Sequence, residues 1–467
     1  MMFVGRQSEL FELNRLYDTN GFKFVVIYGR RRVGKTSLIT EFIKGKDSIF
    51  YISIERNDSA ALHDFSAKVL ERFPSAASAI DSFPSWDKAL SYILSQADGK
   101  RVILAIDEYP YLATGNPSIS SVLQRHIDTG FKDSNLFLIL CGSSMSFMEN
   151  QILGYASPLY GRRSAQFRIE SFDYYDAGMF FQNASIEDKM LAYAVCGGIP
   201  QYLNVLAEHD NIVDGIYECF FKKSGVLYEE PGNLLKQELR EPAVYNTLIA
   251  SIANGASRLN EIATKSGEEG KKTSKYLKSL IDLQIVGKEH PYGIEAERKG
   301  IYNLKDNMFR FWYRYIPQSV TSIESGLGRQ VIESRVLPDL PTYLGRVFEN
   351  ACREYMIRIN SVQRLPFVFH GIGQWWGTNP ESKTQEEIDF IADSGINAIF
   401  GECKWSKSKI DSSVLSELKR KSMMFKQYEK QYYILFSKSG FHGEVEECAK
   451  QDNVMLTGLK EMYSLTR

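Results

Sequence analysis

Residues 22–36 read Phe-Lys-Phe-Val-Val-Ile-Tyr-Gly-Arg-Arg-Arg-Val-Gly-Lys-Thr, an apolar run that ends in the pattern G-x-x-x-x-G-K-T. No other feature constrains the chain as much, because this one dictates a strand, a turn, a helix and a ligand together. Gly29 and Gly34 let the backbone curl so that the N–H groups of Arg30, Arg31, Arg32 and Val33 point inward at phosphate oxygens. Lys35 can reach the β- and γ-phosphates, and Thr36 offers a hydroxyl to Mg²⁺. Ser37 follows in the first turn of a helix expected over 35–43, whose positive end faces the same anion.

A second apolar run, Val102-Ile-Leu-Ala-Ile-Asp-Glu108, ends in two acids about seventy residues later. Asp107 at the strand end can hold Mg²⁺ through water, and Glu108 can orient and deprotonate an attacking water. A third run, Leu136-Phe-Leu-Ile-Leu-Cys141, leads into Gly142-Ser143-Ser144. Ser143 is placed to sense the γ-phosphate or its water, although serines after strands also serve as plain turn residues. Ser157-Pro-Leu-Tyr-Gly-Arg-Arg163 is a rigid turn presenting Arg162 and Arg163, either as an anion contact or arginine finger or as a solvated basic turn.

The chain has 467 residues, 44% hydrophobic and 24% charged, which suggests a soluble globular protein of about three domains. A net charge of −1 gives no global pull towards polyanions, so any such site must be a local patch. Six scattered cysteines without metal-ligand spacing read as reduced core residues, which implies a cytoplasmic protein. No apolar stretch is long enough to span a membrane, and Arg6 and Glu9 break any signal-peptide core.

The ordered set of motifs in residues 1–235 resembles the archaeal-type ATPase family, in the STAND branch of the AAA+ class. The residues carrying it are Phe3-Val-Gly-Arg-Gln-Ser-Glu-Leu10, the phosphate loop, Ile106-Asp-Glu-Tyr-Pro, Cys141-Gly-Ser-Ser, Ser157-Pro-Leu-Tyr-Gly-Arg and Gly197-Gly-Ile-Pro-Gln-Tyr-Leu203. The resemblance implies that the nucleotide is ATP, and that Phe3, Val4, Gly5 and Arg6 lie near its adenine. It also implies that Pro200, in a helical lid, closes near the phosphates. The expected fold is α/β and multidomain. A P-loop core with a parallel sheet covers 1–170, and a helical lid covers 171–236.

Residues 237–317 carry three helical stretches (244–253, 259–264, 271–283) and then a β-like segment with turn signals at Pro291-Tyr-Gly293 and Lys299-Gly300. This resembles a winged helix-turn-helix. Lys271, Lys275 and Lys278 share one face of the third helix, while Leu277, Leu280 and Ile281 occupy another. The basic face suits phosphate contacts with DNA, and it equally suits a solvated face of a module that packs only within the chain.

A linker with Pro338 and Pro341 is expected before a last domain, 338–467. There a helix (343–357) carries Glu349, a strand (387–392) carries Asp389, and a strand (398–405) carries Glu402 and Lys404 on one face. Burying an acid and a lysine side by side is costly without a task. Glu, Asp and Glu-x-Lys on helix, strand and strand resemble the PD-(D/E)XK nuclease superfamily, with Ile388 where the nominal motif has proline. The resemblance implies an α/β restriction-endonuclease-like domain. Asp389 and Glu402 would bind Mg²⁺ or Mn²⁺, Lys404 would position a water, and Glu349 would assist. Trp375-Trp376 can stack on bases or serve as core. The expected function is an ATP-hydrolysing protein whose nuclease-like domain acts on nucleic acid, most naturally DNA, under ATP control. Two alternatives remain: a signalling ATPase with an inert C-terminal scaffold, and a DNA-binding regulator that does not cleave. Expected partners are ATP and ADP, DNA, and a regulatory protein or a second copy through the ATPase domain.

Overall fold

The computed structural model describes residues 3–74, 80–294, 300–380, 382–451 and 453–464. Its internal contacts define two compact units, Met1–Ser171 with Ile199–Gln201, and Phe172–Gly198 with Tyr202–Arg467.

The first unit is built on five parallel strands in the order β2-β3-β4-β1-β5. They are β1 (Lys23–Tyr28), β2 (Ser48–Ile52), β3 (Val102–Asp107), β4 (Leu136–Gly142) and β5 (Ala165–Arg168). Every residue of β3 and β4 is buried, as the unbroken apolar runs require for strands covered on both faces. β5 has no apolar run. It pairs with the edge of β1 and alternates between half-buried and exposed residues, so it carried no strand signal in the sequence. Because β4 lies between β1 and β3, the ends of all three strands meet the loop that follows β1. Phe24, Phe65, Trp86, Leu104, Leu123 and Leu138 belong to the packed core beside the sheet.

The second unit begins with short helices, among them Tyr174–Gly178, Ile186–Cys196, Ile212–Phe220 and Glu230–Glu238. Three helices follow, Pro242–Ala253, Leu259–Ser266 and Gly270–Asp282, then an antiparallel ribbon of β6 (Val286–Glu289) and β7 (Ile301–Leu304). Lys299, one of the turn signals, lies outside the described residues. The last part has a mixed sheet in the order β12-β11-β10-β9-β8. Its strands are β8 (Gly371–Thr378), β9 (Gln385–Asp393), β10 (Asn397–Lys404), β11 (Lys430–Ser437) and β12 (Val454–Gly458). β8 and β10 each pair antiparallel with β9, and β10, β11 and β12 run parallel.

Two expectations are corrected here, and one is decided. The Pro338–Pro341 stretch is not a linker. It opens the 25-residue helix Leu337–Ser361, with Pro338 in the first turn, where it forfeits no intrahelical bond, and Pro341 inside the helix, where it gives up one. Of the two readings of Trp375, core is the one that holds: it comes from β8 and packs edge-on to Phe425. Ile281 is half-buried, and Thr273 takes a fully buried place beside Leu277 and Leu280.

The helix Leu337–Ser361 ties the second unit together. Tyr343 donates its hydroxyl to the Ala194 carbonyl (2.7 Å). Glu354 accepts from the Tyr174 N–H (2.9 Å) and the Tyr193 hydroxyl (2.7 Å). Arg358 pairs with Asp173 (2.7 Å) and Asp176 (3.2 Å).

Candidate functional site

The phosphate loop joins β1 to the helix Lys35–Ile43. Gly29 cannot carry a side chain, since a Cβ there would sit 2.3 Å from the Ile169 carbonyl oxygen. Gly34 has φ +89°, the left-handed conformation that favours glycine, and Pro200 lies 3.6 Å from where its Cβ would stand. Lys35 is buried, and its ammonium donates to the carbonyls of Gly29 (2.9 Å) and Arg30 (3.0 Å), which holds it inside the curl of the loop. Thr36 Oγ1 donates to Asp107 Oδ2 (2.6 Å). A hydroxyl and a carboxylate so paired are the hard oxygen donors that Mg²⁺ takes, so the residues fit that ion.

Glu108 adopts φ 50°, and its carboxylate accepts from the Ser143 hydroxyl (2.8 Å) and N–H (3.3 Å). Arg6, also at positive φ, is buried and donates to the Val33 carbonyl (3.1 Å) and to the Glu170 carbonyl. The N-terminal motif therefore braces the phosphate loop directly. Arg6, Arg32 and Glu108 are three of the six non-glycine residues at positive φ among the described residues, so backbone strain concentrates here. Arg31 donates to the Tyr111 hydroxyl (2.8 Å), a partner that sequence reasoning missed. Arg162 grips Asp128 through a two-pronged pair (2.8 and 2.7 Å) and also donates to the Pro158 carbonyl (3.0 Å). In this conformation its fork braces the turn. Asp128 sits on an amphipathic helix with no motif around it, so nothing in the sequence announced the pair. Arg163 is half-buried.

In the second unit, β9 and β10 pair with Gly401 opposite Phe390, and one further step of that register sets Glu402 opposite Asp389. Opposed residues of an antiparallel pair share a face. Asp389 Oδ2 accepts the Cys403 N–H (2.7 Å), and Lys404 pairs with Glu402 (2.5 Å). Burial, with the Glu402 and Glu349 carboxylates, pushes Asp389 up to about 8 against the opposing Cys403 N–H and Lys404. Burial also raises Glu349, with Glu387 and Glu402 adding to it and Arg353 opposing. Burial pulls Lys404 down, but Glu402 and Asp389 outweigh it and hold its pKa above the ordinary value. Glu349, Asp389 and Glu402 thus act on one another where the pairing of β9 with β10 runs out, and Lys404 acts on Asp389 and Glu402. Among the described residues, no three His, Cys, Asp or Glu side chains are grouped closely enough to hold a metal by themselves. Two opposed carboxylates and a nearby third still match the oxygen donors of Mg²⁺ or Mn²⁺, with water completing the shell. Arg353, four residues after Glu349, donates to the Asp389 carbonyl (3.1 Å) and was missed.

On the helix Gly270–Asp282, Lys271, Lys275 and Lys278 are exposed, and so is Lys272, which widens the basic face. No described helix is long and apolar enough to cross a membrane.

Comparison with known proteins supports an ATPase. A family model described as an ATPase domain predominantly from Archaea matches residues 3–206, and one described as archaeal and bacterial proteins of unknown function matches 312–422. An uncharacterized protein of Methanocaldococcus jannaschii is 33% identical over 94% of this chain and 96% of its own. An uncharacterized ATP-binding protein of Pyrococcus abyssi is 26% identical over 44% of this chain and 73% of its own. The solved structure of a Walker-type ATPase of Pyrococcus abyssi covers 67% of this chain and 96% of its own, with a TM-score of 0.51 at 18% identity, a likeness of fold.

Proposed function

The chain belongs to the family of its Methanocaldococcus jannaschii relative and carries an ATPase domain of a kind found predominantly in Archaea, and we propose that this ATPase controls a metal-dependent, nuclease-like site acting on nucleic acid. In the ATPase, Lys35 binds the β- and γ-phosphates, and Thr36 with Asp107 holds Mg²⁺. Glu108 takes the proton of the attacking water once Ser143 releases it. Arg6 keeps the loop in shape, Pro200 reports the phosphates to the lid, and Arg163 is the remaining arginine for a finger.

For the second site, one observation carries the reading: Asp389 and Glu402 follow the last ladder pair of β9 and β10, Lys404 pairs with Glu402, and the Glu402 and Glu349 carboxylates both act on Asp389. The helix Leu337–Ser361, strands β8–β10, a helix (Ser412–Ser422) and the parallel strand β11 would serve it as a restriction-endonuclease-like frame. A divalent ion there would neutralise the phosphodiester and acidify a water. The chain's own part is to bind that ion through Asp389 and Glu402 and to orient the water through Lys404. Exposed Lys271, Lys275 and Lys278 on a winged helix would hold the DNA backbone.

The test is cleavage of single- and double-stranded DNA and RNA by the full chain with Mg²⁺ or Mn²⁺, with and without ATP. Cleavage lost in Asp389→Ala and in Glu402→Ala supports the reading. The ion pair of Lys404 with Glu402, which already occupies a carboxylate the ion would need, favours a second reading, a regulatory ATPase whose C-terminal fold is an inert scaffold. Wild-type protein that neither cleaves nor binds Mn²⁺ outside the ATP site decides for that one.

A further inference from the structure

Neither proposed site uses a cavity of about 410 Å³ in the second unit. Its walls come from the end of the helix Pro242–Ala253, from β7, from the helix Asn307–Tyr315 and from the first turns of Leu337–Ser361. Arg310, Arg314 and Arg346 line it together with Ser257, Asn303 and Thr342, and no carboxylate lines it among the described residues.

The three arginines are not equivalent. Arg314 is neutralised by a two-pronged pair with Asp339 (2.5 and 2.7 Å). Arg310 donates through Nε (3.1 Å) and Nη2 to the Leu304 carbonyl, which fixes the plane of its guanidinium. Its Nη1 is buried and has no hydrogen-bond partner among the described residues. Buried donors are nearly always satisfied, so an orphaned guanidinium nitrogen on a residue that lines a cavity calls for a partner. Arg346 is exposed and makes no hydrogen bond or ion pair with any described residue. Burial lowers the pKa of Arg310. Tyr343 opposes that shift, Arg346 adds to it, and Glu289 on β6 opposes it again. Two like charges converging on one cavity are relieved by an anion between them.

We propose that this cavity binds a phosphate group, held between Arg310 and Arg346. Forked guanidinium donors from two directions, with Ser and Thr hydroxyls and an Asn amide, match the several oxygens of a phosphate better than the two of a carboxylate. A free nucleotide and the 5′-phosphate of a nucleic-acid end both offer that chemistry. The inference does not rest on cleavage at Asp389: Arg310 lies on another helix, and Arg346, although three residues before Glu349 and acting on it electrostatically, takes no part in holding the metal there.

The experiment uses the full chain carrying Lys35→Ala, which silences the phosphate loop. Calorimetry measures inorganic phosphate, a nucleoside 5′-monophosphate, and a short oligonucleotide with and without a 5′-phosphate. Saturable binding of a phosphorylated probe is expected, weakened at least tenfold by adding Arg346→Gln, an exposed change that leaves thermal unfolding in place. Preference for the phosphorylated oligonucleotide assigns the site to nucleic-acid ends, and preference for the monophosphate assigns it to a free nucleotide. Retention of binding in Asp389→Ala separates this site from the nuclease-like one. The proposal is overturned if no phosphorylated probe binds the Lys35→Ala protein, or if Arg346→Gln leaves the binding unchanged.

Discussion

Lys35 and Glu108 separate binding from chemistry. The Lys35 ammonium is held by two loop carbonyls where the phosphates would take it over, so Lys35→Ala should weaken ATP binding and abolish turnover. Glu108→Gln keeps the shape and the acceptor oxygen but loses the base. It should bind ATP normally and turn over slower by about 10²-fold or more, the scale on which removing one transition-state group acts. Ser143 adds a third case, because its hydroxyl holds the Glu108 carboxylate. Ser143→Ala should leave ATP affinity near wild type and lower turnover, since Glu108 then loses its orienting partner. Parallel titrations with a fluorescent ATP analogue and a phosphate-release assay measure both quantities. Wild-type turnover in Glu108→Gln would remove that residue from the mechanism.

At the scale of elements, the phosphate loop and the seam along Leu337–Ser361 make different demands. A methyl group on Gly29 would strike a backbone oxygen that cannot move independently of β5, so Gly29→Ala should cost about 1–3 kcal/mol, as overpacking does, and deform the loop. Denaturant titration with and without ATP reads both effects. The seam holds Glu354, which burial and Asp173 push up to about 7, against the Tyr193 hydroxyl, the Tyr174 N–H and Arg353. The folded chain therefore keeps a proton there that the unfolded chain releases near 4.5, and stability falls as pH rises between those two values. The loss attributable to Glu354 is on the order of 3 kcal/mol at the upper end. Glu354→Gln retains an acceptor for the Tyr174 N–H and should flatten this slope. Relative to wild type it should be more stable at pH 8 than at pH 5 by denaturant titration, and an unchanged slope would show that Glu354 is ionised throughout.

This seam was not legible in the sequence. Glu354 and Arg358 look like ordinary solvated charges of an amphipathic helix, and their partners lie about 160–185 residues away. The elements that were legible are those whose residues have no other use. Unbroken apolar runs gave β1, β3 and β4, and the two loop glycines fixed the turn. β5 and the true start of Leu337–Ser361 were missed for the opposite reason. β5 is an edge strand held by pairing alone, and a proline in a first helical turn reads locally like a break.

For the whole molecule, the nucleotide site lies in one compact unit and the Asp389 site in the other. Each site's own chemistry should therefore survive loss of the other. Asp389→Ala should hydrolyse ATP at the wild-type rate, and Lys35→Ala should still bind Mn²⁺ through Asp389 and Glu402. If ATP controls access to nucleic acid, the link must appear as a coupling free energy, and such a coupling is reciprocal. In a protein carrying both Glu108→Gln and Asp389→Ala, neither ATP nor nucleic acid is consumed, so equilibrium affinities can be measured. Saturating ATP should change the affinity for a DNA duplex by a factor of about 5–150, the usual range for linked sites. Saturating DNA should change the affinity for ATP by the same factor. The basic face at Lys271, Lys275 and Lys278 gives this measurement an internal control. Neutralising those lysines should weaken DNA binding and flatten its salt dependence while leaving ATP affinity in the absence of DNA unchanged. If neither ligand alters the affinity for the other, the two units work independently and ATP control of the second site is wrong, whatever that site cleaves.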